Sequence, residues 1–182
     1  MSDAKDPCSD TAIIGRILEG DTNAFSVLVR RYQHRILRLG YGFFKDGDAA
    51  KDFAQDVFLK AYAGLSGFRG HSSFSTWITR IAYNTGINAK RRLDRFEPLD
   101  GDPVDGLSLG PEELHLRSEA AAALRRALAD LPERFAICLE LYFGGGMKYE
   151  EISHITGFPV NTIKSHVRRA RQSLRDALAD EM

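Results

Sequence analysis

A chain of 182 residues with 43% hydrophobic and 27% charged side chains carries enough apolar mass for one or two globular cores. It holds no run of about 18 apolar residues, which predicts no membrane insertion, and the acidic start MSDAKDPCSD is read as lacking a secretory signal. Formal net charge is zero, which excludes a uniformly basic coat but not a segregated one.

Helical periodicity runs through most of the chain and strand signals are almost absent, so the pattern predicts an all-α fold. After a tail at 1–10, a short helix is expected over Thr11–Glu19, ending at EGD. A second begins near Asp21 or Thr22, both good caps, with one apolar stripe of Phe25, Leu28, Val29, Tyr32, Ile36, Leu39 and Phe43. A third runs from Asp48 to about Leu65 and buries Phe53, Val57, Phe58 and Tyr62. The loop SGFRGHSS leads to a fourth helix reaching about Arg92. Its stripe of Phe74, Trp77, Ile78 and Ile81 opposes Arg80, Tyr83, Lys90 and Arg91, with Asn84 at the border. At least half of that stripe belongs to a core; Trp77 suits either a core or a stacking platform.

The stretch 94–118, which opens DRFEPLDGDPVDGLSLGPEE, is acidic and broken by proline and glycine, so it reads as a flexible linker between two small domains, 11–93 and 119–182. It is a solvated spacer or, from its sign, a strand lying in a channel built for nucleic acid. Pro111 fits a helix first turn, with Glu112 and Glu113 at its positive end. Further helices are expected from about Glu133 to Phe143, over Tyr149–Thr156 and over Thr162–Leu178, with Gly144–Gly146 as an interruption.

Charge is segregated along this plan. Residues 12–93 hold 13 Lys/Arg against 6 Asp/Glu, residues 94–118 hold 2 against 7, and Asn161–Arg175 holds Lys164, Arg168, Arg169, Arg171 and Arg175 with no acid. The segment YEEISHITGFPVNTIKSHVRRAR has the lengths of a helix-turn-helix, with Gly157 ending its first helix. Ile152, Ile155, Ile163 and Val167 fall where the helices pack. Lys164, Ser165, Arg168 and Arg169 are left on an outward face suited to the major groove. A capping box before Glu151 would want Ser or Thr, and Lys148 stands there instead, which costs about 1 kcal/mol of cap energy and suits a phosphate contact. In the front half, Asp52, Gln55 and Asp56 share one helix face, either solvated or a docking surface; two acids four apart repel slightly.

No nucleophile–base pair or phosphate-cradling loop stands out, so no enzyme is expected. Glu151-x-x-His154 is half of a carboxylate–histidine metal motif, without its second half. Cys8 and Cys138 show no C-x-x-C spacing and read as reduced thiols of a cytoplasmic protein, one in the tail and one in a helix core.

The motifs DAAKDFAQDVFLKAY, FRGHSSFSTWITRIAYN and MKYEEISHITGFPVNTIKSHVRRAR, in that order around the linker, resemble an extracytoplasmic-function sigma factor of bacterial RNA polymerase. The resemblance covers roughly 11–93 and 119–178. It implies that Asp52, Gln55 and Asp56 grip a coiled coil of the polymerase largest subunit, although the family more often has Glu at the last position. It implies that Phe68, Arg69, Ser72, Ser73, Phe74, Trp77, Arg80, Asn84 and Arg91 serve the −10 element, where a base is flipped into a pocket beside Asn84. It implies that Lys148, Thr162, Lys164, Ser165, Arg168 and Arg169 serve the −35 element. Lys148 and Ser153 depart from the small hydroxyl and Ala that the family favours. The implied partners are core RNA polymerase (that coiled coil and the β flap), promoter DNA and an anti-sigma factor; no cofactor or metal is implied. A two-domain regulator that binds DNA without polymerase shares the helix-turn-helix but has no need of the Asp52/Gln55/Asp56 face.

Overall fold

Ser9 begins the first helix. Its hydroxyl accepts the Ala12 N–H at 3.2 Å, so α1 spans Asp10–Leu18 and starts one residue before the expected Thr11. Asp10 binds Arg31 and Tyr32 of the next helix, and Arg31 Nη2 also donates to the Cys8 carbonyl at 2.8 Å. Residues 8–10 are thus tied to the bundle. The computed structural model describes residues 8–96 and 119–179, so the acidic linker, with its proposed flexibility and channel role, and Pro111 lie outside the described residues.

One 3₁₀ turn over Thr22–Ala24 leads into α2, Phe25–Phe44. The Asp21 carboxylate makes no capping bond and pairs with Arg16 at 2.6 Å instead. The stripe Leu28, Tyr32, Ile36, Leu39 and Phe43 is buried as its spacing predicts. Helix α3, Gly47–Gly64, starts at a cap the sequence reading missed: Asp46 Oδ1 accepts the Ala49 N–H at 2.7 Å, while Asp48 pairs with Lys51. Phe53, Val57 and Phe58 are buried, but Tyr62 is 43% exposed and lies edge-on to Phe25, so its expected burial is corrected. Helix α4 spans Phe74–Phe96.

In the rear half α5 covers Glu119–Ala129 and α6 covers Glu133–Leu139, continued by a single π-type turn to Gly144. Helices α7, Tyr149–Thr156, and α8, Val160–Ala179, complete it. The Pro159 carbonyl accepts the Ile163 N–H at 3.1 Å, so α8 begins two residues before Thr162. The described residues contain no strand, and no helix among them is long and apolar enough to cross a membrane.

The two halves are packed, not merely tethered. One continuous core joins Leu39 and Phe43 of α2 and Tyr83 of α4 to Ile137, Cys138, Leu141 and Ile152. Lys45, which ends α2 with φ +56°, donates to the Leu128 carbonyl at 3.0 Å, and Arg38 pairs with Glu140 at 2.9 Å. Gly42 sits against Ala136 and Ile137. Burial pushes the Cys138 thiol up to about 11, so it stays protonated between α6 and α8.

The crossing of α2 and α4 turns on Gly86. A Cβ there would come within 2.4 Å of the Phe43 ring, and that ring is 1% exposed and held by Phe44, Phe53 and Tyr83. Alanine in a helix gains about 1 kcal/mol over glycine, whereas overpacking a full core costs about 1–3 kcal/mol. The overlap decides the sign. Gly86→Ala is therefore expected to lower the urea midpoint of unfolding; an unchanged or raised midpoint would show that the crossing is slack.

Candidate nucleic-acid interface

Three surfaces carry the residues singled out in the sequence. On α3, Asp52, Gln55 and Asp56 are all exposed. Asp56 pairs with Lys60 at 2.6 Å, an exposed i,i+4 contact worth only about 0.3–0.5 kcal/mol and easily given up to a partner. Leu59, 63% exposed, stands one turn beyond Gln55 and Asp56, with Tyr62 a further turn along. The sequence reading missed Leu59. Its signal was an apolar residue out of phase with the buried set Phe53, Ala54, Val57, Phe58 and Ala61.

The second surface is the loop before α4 and the helix's open flank. Ser73 caps α4: its Oγ accepts the Thr76 N–H at 3.1 Å. Arg69 and Ser72 are exposed, and Gly70 takes φ +71°, which turns the loop outward. Phe68 is half-buried against Phe74 and Trp77, with ring centroids 5.9 and 5.2 Å away. The stripe resolves as expected, since Phe74 and Ile78 are buried while Trp77 and Ile81 are half-buried. The outer edge of the Trp77 ring lies near Gly64, and its ring also packs with Phe68 and Phe74, centroids 5.2 and 5.5 Å away, which leaves it half-buried.

Beyond Trp77 the flank differs from expectation. Tyr83 is buried, and its hydroxyl donates to the Thr156 carbonyl at 3.4 Å, so it does not face a DNA backbone here. Arg80 is exposed but donates from Nη2 to the His154 carbonyl at 3.0 Å, and Lys90 lies 3.6 Å from Glu133. Asn84 and Arg91 are exposed and line a cleft of about 890 Å³ between α4 and the α6–α7 region, with Arg134 and His154 on its far wall.

The third surface is the helix-turn-helix. Gly157 takes φ +75° and returns its N–H to the Ser153 carbonyl at 2.8 Å. Ser153 in turn donates its hydroxyl to the Phe158 carbonyl at 2.7 Å, which fixes the turn and gives this serine a structural task. Ile152, Ile155, Ile163 and Val167 are buried. Lys164, Arg168 and Arg169 are exposed, with Ser165 and Thr162 half-exposed beside them.

Lys148 keeps half of the expected capping box. Its backbone N–H donates to Glu151 Oε2 at 2.9 Å, while its ammonium, having no lone pair, cannot accept the reciprocal bond and stays exposed. Glu151 is thereby engaged by its own helix. No three His, Cys, Asp or Glu side chains converge as a metal site among the described residues.

An aromatic cluster borders α8. Tyr142 and Tyr149 stack at 4.6 Å, Lys164 lies 5.7 Å over Tyr149, and Arg171 lies 5.8 Å over Phe143. Phe143, 57% exposed at the π-type turn, went unmarked in the sequence because the helical pattern treats it as the end of a core helix. Thr162, Lys164, Ser165, Arg168 and Arg169 share α8 while Lys148 stands apart at the start of α7, and the residues from Phe68 to Arg91 lie along one loop and α4. The structure holds Arg80 and Tyr83 against the rear half.

Comparison with known proteins agrees with this layout. The sigma-70 region 2 model matches residues 28–96, and the sigma-70 region 4 model matches 121–174. The RNA polymerase sigma-H factor of Pseudomonas aeruginosa is 37% identical over 180 residues, covering 93% of each chain. The ECF RNA polymerase sigma-E factor of Escherichia coli K12 is 35% identical over 177 residues, covering 91% of this chain and 92% of that one. Among solved structures, the sigma factor RpoE of Bartonella quintana, in complex with the anti-sigma factor NepR, superposes with a TM-score of 0.67 at 26% identity, over 84% of this chain and 96% of that one. CnrH in complex with the cytosolic domain of CnrY shares the fold, with a TM-score of 0.65 at 23% identity over 95% and 99%. A region 2 match over the front half disfavours a sensor domain there, and with it the polymerase-independent regulator. The chain belongs to the extracytoplasmic-function group of the sigma-70 family and is a transcription initiation factor.

Proposed function

We propose that this sigma factor works in the cytoplasm by docking on core RNA polymerase through Asp52, Gln55 and Asp56, opening the −10 element with the Phe68–Phe74 loop and α4, and reading the −35 element with α8. The observation that carries this reading is the separation of the three surfaces: an exposed mixed face on α3, an aromatic loop before α4, and a run of cations over 161–175 of α8 that holds no acid. Trp77 is half-exposed beside this loop, and a base stacked on it would return about 1–3 kcal/mol. Asn84 stands where the displaced base would be read. Phe143 and Leu59 supply exposed apolar contacts to polymerase elements, Phe143 suiting the β flap. Control by an anti-sigma factor is part of the proposal, supported by the complexes in which the similar sigma factors RpoE and CnrH were solved. No chemical step is assigned to the chain itself.

Reconstitution with sigma-free core polymerase tests the whole reading, since runoff transcription from genomic DNA appears only if the chain confers specific initiation. Within that assay, the triple variant Asp52→Ala, Gln55→Ala, Asp56→Ala is expected to lose at least about tenfold in core affinity, roughly 1.4 kcal/mol. Its melting temperature should hold, because all three side chains are exposed. Undiminished loading would refute the docking face.

On DNA, Arg168→Ala in the holoenzyme should cost about 1–3 kcal/mol and relax preference at one −35 base pair. Lys148→Ser should instead weaken all promoters alike and reduce the salt slope of binding by about one. An unchanged slope would remove Lys148 from the phosphate contacts.

A further inference from the structure

A buried thiol and a histidine meet at the edge of the helix that carries the outward cations. Cys138 of α6 is fully buried, and its Sγ lies 3.6 Å from His166 Nδ1 on α8. The imidazole stands between Phe135 and Phe158, with ring centroids 5.1 and 5.6 Å away, so its plane is held on both sides. The thiol is protonated, because burial pushes it up to about 11. Sulfur is a weak acceptor and a bare imidazole nitrogen a good one, so the thiol donates and Nδ1 accepts. In a neutral ring the proton then sits on Nε2.

The surroundings keep the ring neutral. Burial first, then Arg134 of α6 and Arg169 of α8, push the His166 imidazolium below its usual range. No carboxylate pairs with it among the described residues. Nε2 has no hydrogen-bond partner among those residues, yet it is not sealed from water. Packing accounts for the two rings but not for an outward donor with two exposed guanidinium groups near enough to act on its charge. An anion relieves that repulsion. Thr162 lies four residues before His166 and Arg169 three after it, which puts all three on one side of α8. That side borders the row of Lys164, Ser165 and Arg168, where a helix seated in the major groove meets the phosphate rail.

We propose that His166 is a further DNA contact of this chain, donating its Nε2–H to a backbone phosphate at the edge of the groove, with Cys138 as the residue that positions the ring. This rests on the sigma-factor reading above and adds to it a contact that responds to pH. A phosphate beside the ring favours the imidazolium that the free chain disfavours. The pKa of His166 is thus higher on DNA than off it, and binding takes up a proton in the window between the two values. That proton goes to Nδ1, and the thiol turns from donor to weak acceptor. The added affinity is complete below the free-chain value and is lost as pH rises through the DNA-bound value.

Promoter fragments recovered by genomic runoff serve as the probe. At fixed salt, native holoenzyme should bind them more tightly at about pH 6 than at about pH 8. The chain holds five histidines, so the quantity to compare is the ratio of the two affinities, native against His166→Gln, whose amide donates but takes up no proton. The native ratio should exceed that of the variant by at least about threefold, alike on promoters of different −35 sequence, because a phosphate carries no base identity. Equal ratios overturn the contact. An excess confined to one −35 base pair overturns it too, since His166 would then read a base.

A spectroscopic arm needs no DNA. Nitrogen-15 ring signals of the free native chain at about pH 8 should show His166 protonated at Nε2, and Cys138→Ala should add an Nδ1-protonated form in exchange with it. Protonation at Nδ1 in the native chain, or an unchanged ring in Cys138→Ala, overturns the positioning role. Failure of the native chain to initiate with core polymerase would instead strike the sigma-factor reading.

Discussion

Phe43 fills the notch that Gly86 leaves in α4, and that contact sets where α4 stands. Around it, Phe74, Ile78 and Ala82 press one side of α4 into the bundle, while Arg80, Asn84 and Arg91 are carried on the other. A helix that holds an extruded base must not yield under load, because a shift of an ångström at the site forfeits the positioning. The aromatic packing of Phe43 with Phe53 and Tyr83 supplies that rigidity. The same Tyr83 then reaches the rear half, so the anchor of α4 and the seam between halves share a side chain.

Net charge of zero hides how the chain meets a polyanion. Cations concentrate on α8 and along the front bundle, and acids concentrate in 94–118. A polymer passing within a Debye length, about 8–10 Å, feels these patches and not their sum. On α8 the cations are partly steadied by neighbours: Lys164 by Tyr149 and Arg171 by Phe143, contacts worth about 0.5–1 kcal/mol at exposed sites. Arg168 and Arg169 make no ion pair among the described residues and present their guanidinium groups to solvent.

Long amphipathic stripes were legible in the sequence, and so was the helix-turn-helix, because spacing alone fixes which side of a helix is apolar. The buried sets of α2, α7 and α8 follow directly from it. Caps were harder. Asp46 and Asp48 are equally good candidates by type, and only the backbone decides that Asp46 reaches the Ala49 N–H. Tyr83 defeated the reading for another reason. It sits on the polar side of the α4 stripe, and its burial comes from a second body that helical periodicity within α4 cannot register. Phe143 shows the converse, an apolar residue at the end of a core helix that remains exposed, whereas Leu59 is out of phase with the buried set of α3 and is exposed for that reason.

Packing of the halves bears on where free energy is tight during initiation. Extruding a base costs a few kcal/mol, and one stacked aromatic returns about 1–3 kcal/mol, so Trp77 alone leaves little margin. Under the proposed function Arg80 adds its share, yet its guanidinium is here bonded to the His154 carbonyl. Exchanging a carbonyl for a phosphate oxygen gains charge assistance, but only after the seam has opened and Ile137 and Ile155 have lost some of their cover. The balance therefore tips toward melting only when another body compensates for that lost burial. Exposed Phe143 and Leu59 are apolar surface of the kind a partner covers, so burial there is the compensation the proposed function calls for.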